Sequence, residues 1–383
     1  MVTPPVIGDQ RLVKHINRMA LLRLLRGESG LSRADLSQRS GLTRSTVSVL
    51  VKELITEGWL EEASAQITGT PGRRPTPLGL HAGRLMLVGA ELGPDALCVV
   101  ATSINGDLLD TRLAPLRSRD PDAACRQLVQ MITALCSRVI AGDVRLLGIG
   151  VAMPGAVDKR TGLLQFAPNI GGRNVEVGRV LNAELASAGL AGAPVYFQNE
   201  ADLAAVGETE FGVRPVDDPL IYISCGIGVG AGIILNEQLF TGATGSAGEI
   251  GHTTLHIDGA ACSCGRLGCA EAYIGLRAIA MAAGCVREGA IDRAGLRARM
   301  AARDPAARLA FADAGRWLGV LLQNIWATFN PMAIVLGGET VAIGGQCFVD
   351  AAAAVLDDVA ARVGIAPPAV RLSRHADRAA AVG

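Results

Sequence analysis

Gly248-Glu-Ile-Gly-His252 and, ten residues after that histidine, Cys262-Ser-Cys264-Gly-Arg-Leu-Gly-Cys269-Ala-Glu271 form the stretch from which the rest of the chain can be ordered. Three thiols fall within eight residues of a glycine-containing turn. That spacing lets three soft donors converge on one tetrahedral ion such as zinc. A closed, structural site needs a fourth donor, and two histidines compete for it: His252 upstream, and His256, which is nearer in sequence. The alternative is three buried thiols without an ion, and the tight spacing with flanking glycines argues against it. The other six cysteines, Cys98, Cys125, Cys136, Cys225, Cys285 and Cys347, lie scattered in apolar surroundings and read as small core residues.

Around this stretch one pattern is written twice. Residues 85–92 and 96–104 read as strands, Asn105-Gly106 is a strong hairpin turn, and 108–114 follows as a third strand. A helical region over 121–140 leads to the apolar strand 146–153. The order β-β-β-α-β then returns with strands at 220–225 and 230–235, a helix at 307–329 and a strand at 333–336. An insertion separates the second hairpin from its helix. Two such units facing each other predict a ligand cleft between α/β lobes.

The first eighty residues read differently. Apolar Ile16, Met19, Ala20 and Leu24 recur at helical spacing and predict an amphipathic first helix over 12–26. Ser32 with Asp35 has the form of a capping box, predicting a second helix over 33–39 with its turn at Gly41. Thr43 can cap a third helix, in which Val47, Leu50, Val51 and Leu54 make one face while Ser45, Ser48, Val49 and Lys52 point the other way. The turn-rich segment 68–77, with adjacent Arg73 and Arg74, is wing-like.

A winged helix-turn-helix of this kind reads duplex DNA through its third helix. Arg44 can reach phosphate or a guanine edge, Ser45, Thr46 and Ser48 can meet bases, and Lys52 can meet the backbone. Arg73 and Arg74 can enter a neighbouring minor groove. A three-helix protein-interaction module is the alternative; capping, turn glycine, polar outer face and arginine wing together favour DNA. Charge agrees: residues 1–84 hold twelve Lys/Arg against seven Asp/Glu, a surplus of five in a chain whose net charge is zero.

Length and composition set the frame. A chain of 383 residues exceeds one hydrophobic core, and half of it is apolar, so several folded units are expected rather than disorder. No stretch reads as a membrane span, and residues 1–9 lack a secretory start, so a cytoplasmic protein with reduced thiols and no membrane partner is expected.

With these residues in view, the chain resembles the family of repressors and sugar kinases called ROK. The resemblance rests on the Gly248–His252 and Cys262–Glu271 segments and extends over nearly the whole sequence. It implies an α/β actin-like (RNase H-like) duplicated two-lobe domain, with a structural zinc held by His252, Cys262, Cys264 and Cys269. The winged helix-turn-helix before it is similar to the family's repressor branch. The expected division is a DNA-binding domain over 1–80, a first lobe over 81–198 and a second lobe over 199–383, whose last segment returns to the first lobe. The resemblance further implies a sugar pocket lined by Asn169, Asn199, Glu200, Glu249, His252 and Glu271. Amides and carboxylates on rigid loops suit vicinal hydroxyls, which both donate and accept.

Two departures separate the chain from the family's kinases. Their first lobe begins with Asp-x-Gly-x-Thr, whose backbone amides approach phosphate; here the segment is Glu91-Leu-Gly93-Pro94-Asp95, where Pro94 removes a donor and Asp95 adds a repelling carboxylate. Glu200 stands at the position of their catalytic aspartate, and its extra methylene displaces the carboxylate by about an ångström, enough to cost roughly a hundredfold in rate. The expectation is therefore no enzyme: a sugar-responsive regulator, a homodimer or homotetramer on two-fold operator DNA. An ATP-dependent hexose or N-acetylhexosamine kinase with a DNA-binding head is the rival reading.

Overall fold

The computed structural model describes residues 9–62, 76–167, 172–211, 217–375 and 378–383. The chain divides into two compact units. The first takes in Met1–Leu87, Thr102–Leu109 and Ile140–Leu147, and the second Val88–Ala101, Asp110–Val139 and Gly148–Gly383.

In the first unit α1 (Gln10–Gly27), α2 (Arg33–Ser40) and α3 (Arg44–Thr56) precede β1 (Leu60–Glu62), which pairs antiparallel with β2 (Leu78–Leu80). The capping box forms as its spacing predicts: Ser32 N donates to Asp35 Oδ2 at 2.8 Å and Asp35 N to Ser32 Oγ at 3.3 Å. Thr43 caps α3, accepting from Thr46 N at 3.2 Å. Val47, Leu50, Val51 and Leu54 of α3 are buried with Leu36, Leu60 and Leu78. The expected inner face of α1 holds in part: Leu24 packs on the core, but Ile16 and Met19 are 55% and 38% exposed, and Leu21 and Leu25 are buried in their stead. Only the second half of α1 reaches that core. Its first half is tied to α3 by ion pairs instead, with Lys14 Nζ 2.8 Å from Glu53 and Arg18 forked onto Glu57. Elsewhere in this unit Ile104 packs on the same core, and the Arg145 guanidinium lies 4.6 Å over the Trp59 ring.

From Leu85 onward the chain builds two five-stranded sheets. The first uses β3 (Leu85–Leu92), β4 (Ala96–Ser103), β5 (Leu108–Pro115), β6 (Arg145–Met153) and β10 (Val195–Asn199), in the order β5-β4-β3-β6-β10. Helix α4 (Pro121–Val139) connects β5 to β6. A small antiparallel sheet of β7 (Ala156–Asp158), β8 (Leu163–Ala167) and β9 (Gly172–Val175), with α5 (Val177–Ser187), precedes β10. Helix α6 (Glu200–Glu210) follows β10 directly.

The second sheet contains β11 (Leu220–Cys225), β12 (Val229–Leu235), β13 (Gln238–Leu239), β16 (Ala333–Gly337) and β17 (Ala369–Leu372). Its order, β13-β12-β11-β16-β17, repeats the first position by position. β11 is antiparallel to β12 and parallel to β16. Between β13 and the long helix α10 (Pro305–Phe329) come α7 (Glu271–Ile274), α8 (Leu276–Ala282), β14 (Val286–Arg287), β15 (Ala290–Ile291) and α9 (Arg293–Ala301). After β16 runs α11 (Glu339–Val363), interrupted at Gly345, and the last helix is α12 (Ala379–Val382). Ala381 of α12 is buried against Cys98 and Val100 of β4.

The sequence did not announce α11. Among the described residues it is the single helix long and apolar enough to cross a membrane, which corrects the expectation of no such stretch. Its apolar residues serve a core: Phe348, Ala352 and Leu356 are buried with α10, and Phe348 meets Phe311 edge-on with centroids 6.2 Å apart.

Ser32→Ala removes the side-chain acceptor at the start of α2 and is expected to destabilise the first unit by about 1 kcal/mol. Thermal unfolding of the full chain, followed by tryptophan fluorescence in a Trp317→Phe/Trp326→Phe background that leaves Trp59 as the reporter, measures it; an unchanged transition contradicts a stabilising cap.

Candidate functional site

The segment 248–252 crosses β12 so closely that side chains cannot fit. A Cβ on Gly248 would lie 1.9 Å from Ala231 O, and one on Gly251 2.0 Å from Val229 O. The two glycines thus press Glu249 and His252 onto the second lobe. His252, Cys262, Cys264 and Cys269 then converge, their ligand atoms all within 4.8 Å of one another. His252 Nδ1 is 3.6 Å from Cys262 Sγ, and Cys264 Sγ is 3.8 Å from Cys269 Sγ. Tetrahedral zinc, with Zn–S near 2.3 Å and Zn–N near 2.0–2.1 Å, requires edges of about 3.8 Å between sulfurs and about 3.6 Å between nitrogen and sulfur. The donor set therefore fits such an ion. His256 is exposed and outside the cluster.

Burial raises the Cys262 and Cys269 thiols above their ordinary range. At Cys264 burial also acts upward, but bonds from the Arg266 backbone and side chain outweigh it and the thiol is lowered. Arg266 Nε lies 3.4 Å from that sulfur. A coordinated cation removes all three protons outright. The loop is braced from outside: Ala260 N donates to Tyr273 Oη at 2.9 Å, and the Tyr273 ring stacks on Trp317 of α10 at 4.4 Å.

The other ring nitrogen of His252, Nε2, faces Glu249 Oε2 at 3.9 Å. Glu271, at the start of α7, is buried and accepts from Val229 N at 3.1 Å and Ser263 Oγ at 2.8 Å. Glu249 keeps 40% of its side chain open to solvent, yet partial burial pushes its carboxyl upward; His252 opposes this and Glu271 adds to it. Glu200, first residue of α6, is raised to about 7 by burial and then by Glu249. Asn199 caps α6, its Oδ1 accepting from Ala201 N at 2.8 Å while its Nδ2 donates to Gly155 O at 2.9 Å. Glu249, His252 and Glu271 thus share one wall with the cysteine cluster, and Glu249 also acts electrostatically on Glu200. Asn169 lies outside the described residues.

On the first unit, Arg44, Ser45, Ser48 and Lys52 are exposed along α3, and Thr46 is half-buried. The Thr43 hydroxyl bonds Ser45 Oγ at 2.9 Å and Thr46 Oγ1 at 2.8 Å, and Ser48 Oγ donates to Arg44 O at 2.8 Å. The hydroxyls of Ser45, Thr46 and Ser48 keep acceptor capacity for a partner, whereas that of Thr43 is used up at the cap. Arg73 and Arg74 lie outside the described residues.

Duplicated sheets with a donor-lined wall, preceded in sequence by three helices and a short two-stranded sheet, define the class: the chain belongs to the ROK family, whose model matches residues 87–383. A winged helix-turn-helix DNA-binding model matches residues 15–61. Among characterised proteins, the xylose repressor of Caldicellulosiruptor bescii is 30% identical over 98% of this chain and 96% of its own length. A crystal structure of a ROK family transcriptional regulator, a homologue of the Escherichia coli Mlc protein, superposes with a TM-score of 0.78 at 24% identity, covering 97% of this chain and 94% of that one. A ROK family glucokinase from Streptomyces griseus, in complex with glucose and AMPPNP, matches with a TM-score of 0.65 at 26% identity over 78% of this chain and 97% of its own.

Asp202 was not singled out from the sequence; an acid two residues beyond Glu200 looks like helix surface until the fold buries it. It is 2% exposed, its Oδ1 has no hydrogen-bond partner among the described residues, and burial followed by Glu249 raises it to about 7, with Lys159 opposing. The N-terminus of α6 favours a negative charge by about 0.3–1 kcal/mol, too little to cancel that desolvation. An acid raised this way favours the fold fully below its unfolded pKa near 4, and that contribution disappears as pH rises through about 7. Asp202→Asn is expected to leave stability unchanged at pH 4 and to raise it above pH 7 by up to about 4 kcal/mol. Paired thermal melts of both proteins across that range measure it, and a difference independent of pH would defeat the assignment.

Proposed function

We propose that this chain is a cytoplasmic, sugar-responsive transcriptional repressor of carbohydrate-metabolism genes. The observation that carries the reading is the presence, in one polypeptide, of an exposed Arg44/Ser45/Ser48/Lys52 face on α3 and of the family's carboxylate-lined wall. As a homodimer or homotetramer it places two heads on a two-fold operator, because one head offers too few base contacts for tight specific binding. Arg44 and Lys52 neutralise phosphates, Ser45, Thr46 and Ser48 meet base edges, and Arg73 and Arg74 extend the contact.

The effector is an aldose. Glu249, Glu200 and the Nε2 of His252 meet its hydroxyls, with Glu271, Asn199 and Asn169 completing the pocket. The name of the Caldicellulosiruptor bescii relative favours xylose, and the ligand of the Streptomyces griseus glucokinase favours glucose. A structural zinc on His252, Cys262, Cys264 and Cys269 would fix the imidazole tautomer and hold the loop rigid. Those residues present Nε2 toward the ligand while Ser263 keeps Glu271 in place. Sugar then shifts DNA affinity by the difference between its affinities for the free and DNA-competent states.

One observation favours a kinase: Glu200, raised to about 7, is poised as a general base should be. Against it stand the extra methylene of Glu200 and Pro94, which removes an amide donor from the turn that approaches phosphate in the family's kinases. We therefore assign the chain no enzymatic activity.

A gel-shift titration on the gene's upstream region is expected to show a specific complex that xylose or glucose dissolves. Arg44→Ala weakens it at least tenfold, in line with about 1–3 kcal/mol for a good base contact. The same sugars with ATP and magnesium yield no sugar phosphate; turnover at ordinary kinase rates would replace this reading by the kinase one. Metal analysis is expected to find one zinc per chain, lost in Cys269→Ser together with at least tenfold of the sugar affinity. Sugar binding that survives exhaustive chelation unchanged would remove the metal from the effector site.

A further inference from the structure

Asp95 closes the β3–β4 turn of the first lobe, in the segment that stands where the family's kinases approach phosphate. Its backbone is fixed, since Gly93 N donates to Ala96 O at 3.1 Å and Leu116 N to Asp95 O at 2.9 Å. In the second lobe Arg293 opens α9 and Glu339 opens α11. The start of α11 is tied to the β11–β12 turn, with the buried Thr340 donating from Oγ1 to Gly226 O at 3.3 Å. By the duplication of the sheets these two hairpin turns are equivalents.

Arg293 joins them. Its terminal nitrogen lies 2.7 Å from Asp95 Oδ2 and its Nε 2.9 Å from Glu339 Oε2, a bridge between residues 198 positions apart in sequence. Arg297 adds a bond to Glu339 Oε1 at 3.1 Å and Arg119 one to Asp95 Oδ1 at 3.2 Å. The Arg293 side chain is 31% exposed, so water screens this bridge less than a surface pair. Burial acts to lower the guanidinium, yet Glu339 and Asp95 hold it above its ordinary value. A planar fork can serve two carboxylates at once, which a lysine cannot do with equal geometry.

We propose that Arg293 is an interlobe strap. By bonding both Asp95 and Glu339, it links the two equivalent turns without a ligand, at the place where the kinases of the family take nucleotide phosphates. Approach of the lobes on this side is thereby built into the chain, and sugar alone completes closure. The consequence for sugar rests on the effector reading above; the strap itself does not.

The test uses the full-length zinc-loaded protein. Arg293→Ala and Asp95→Ala are each expected to weaken sugar binding five- to tenfold by calorimetry, and the double variant no further than either single one, because both remove the same bridge. Arg293→Lys, which keeps the charge but not the fork, falls between wild type and Arg293→Ala. Without sugar, amide hydrogen exchange over residues 93–96 accelerates in Arg293→Ala, although that residue lies in the other lobe. Additive losses in the double variant, or unchanged exchange over 93–96, would overturn the strap. If the wild-type protein gives no heat with any sugar, the effector reading falls, and the exchange measurement alone decides the strap.

Discussion

One imidazole ring joins two demands that pull in different directions. His252 Nδ1 belongs to the cysteine cluster, and His252 Nε2 faces Glu249. The ring can be aimed at both only if the backbone beneath it does not move, and Gly248 and Gly251 secure that by lying directly on β12. Glu271 extends the same arrangement, since the serine between two of the cysteines donates to it. A change in any member of this set is felt by the others through contacts of 2.8–3.9 Å rather than through long-range fields.

The acids near that ring act on one another. Glu200, Asp202 and Glu249 are all raised, chiefly by burial, with Glu249 adding to the shift of the first two and Glu271 to that of Glu249. A raised carboxyl donates to a hydroxyl oxygen when protonated and accepts from a hydroxyl hydrogen when charged. Sugars require this, because each hydroxyl is both donor and acceptor.

Much of this was legible in the sequence wherever a local rule applies. The capping box at Ser32 and Asp35, the inner face of α3 and the repeated strand order depend on neighbours within a few residues, and all are present in the fold. The cysteine spacing left His252 and His256 both open, and the fold brings only His252 to the sulfurs. The inner face of α1 was read only in part: Leu24 packs on the core, but the helix is apolar on two sides and tertiary packing turned Leu21 and Leu25 inward in place of Ile16 and Met19. Asp202 and the Arg293 bridge were invisible for a different reason. A buried acid and a bond spanning 198 positions carry no periodic trace.

The core under α1–α3 does not end with β2. Ile104 packs into it, and Arg145 covers Trp59, although both belong to strands or turns of the sheet that begins at β3. Anyone grafting this head onto a foreign effector module at residue 80 would cut through a shared hydrophobic floor, leaving an aromatic ring bare on one fragment and an arginine without its cover on the other. In a working chimaera the seam would have to run farther along the chain, with the head carrying its own piece of the sensor.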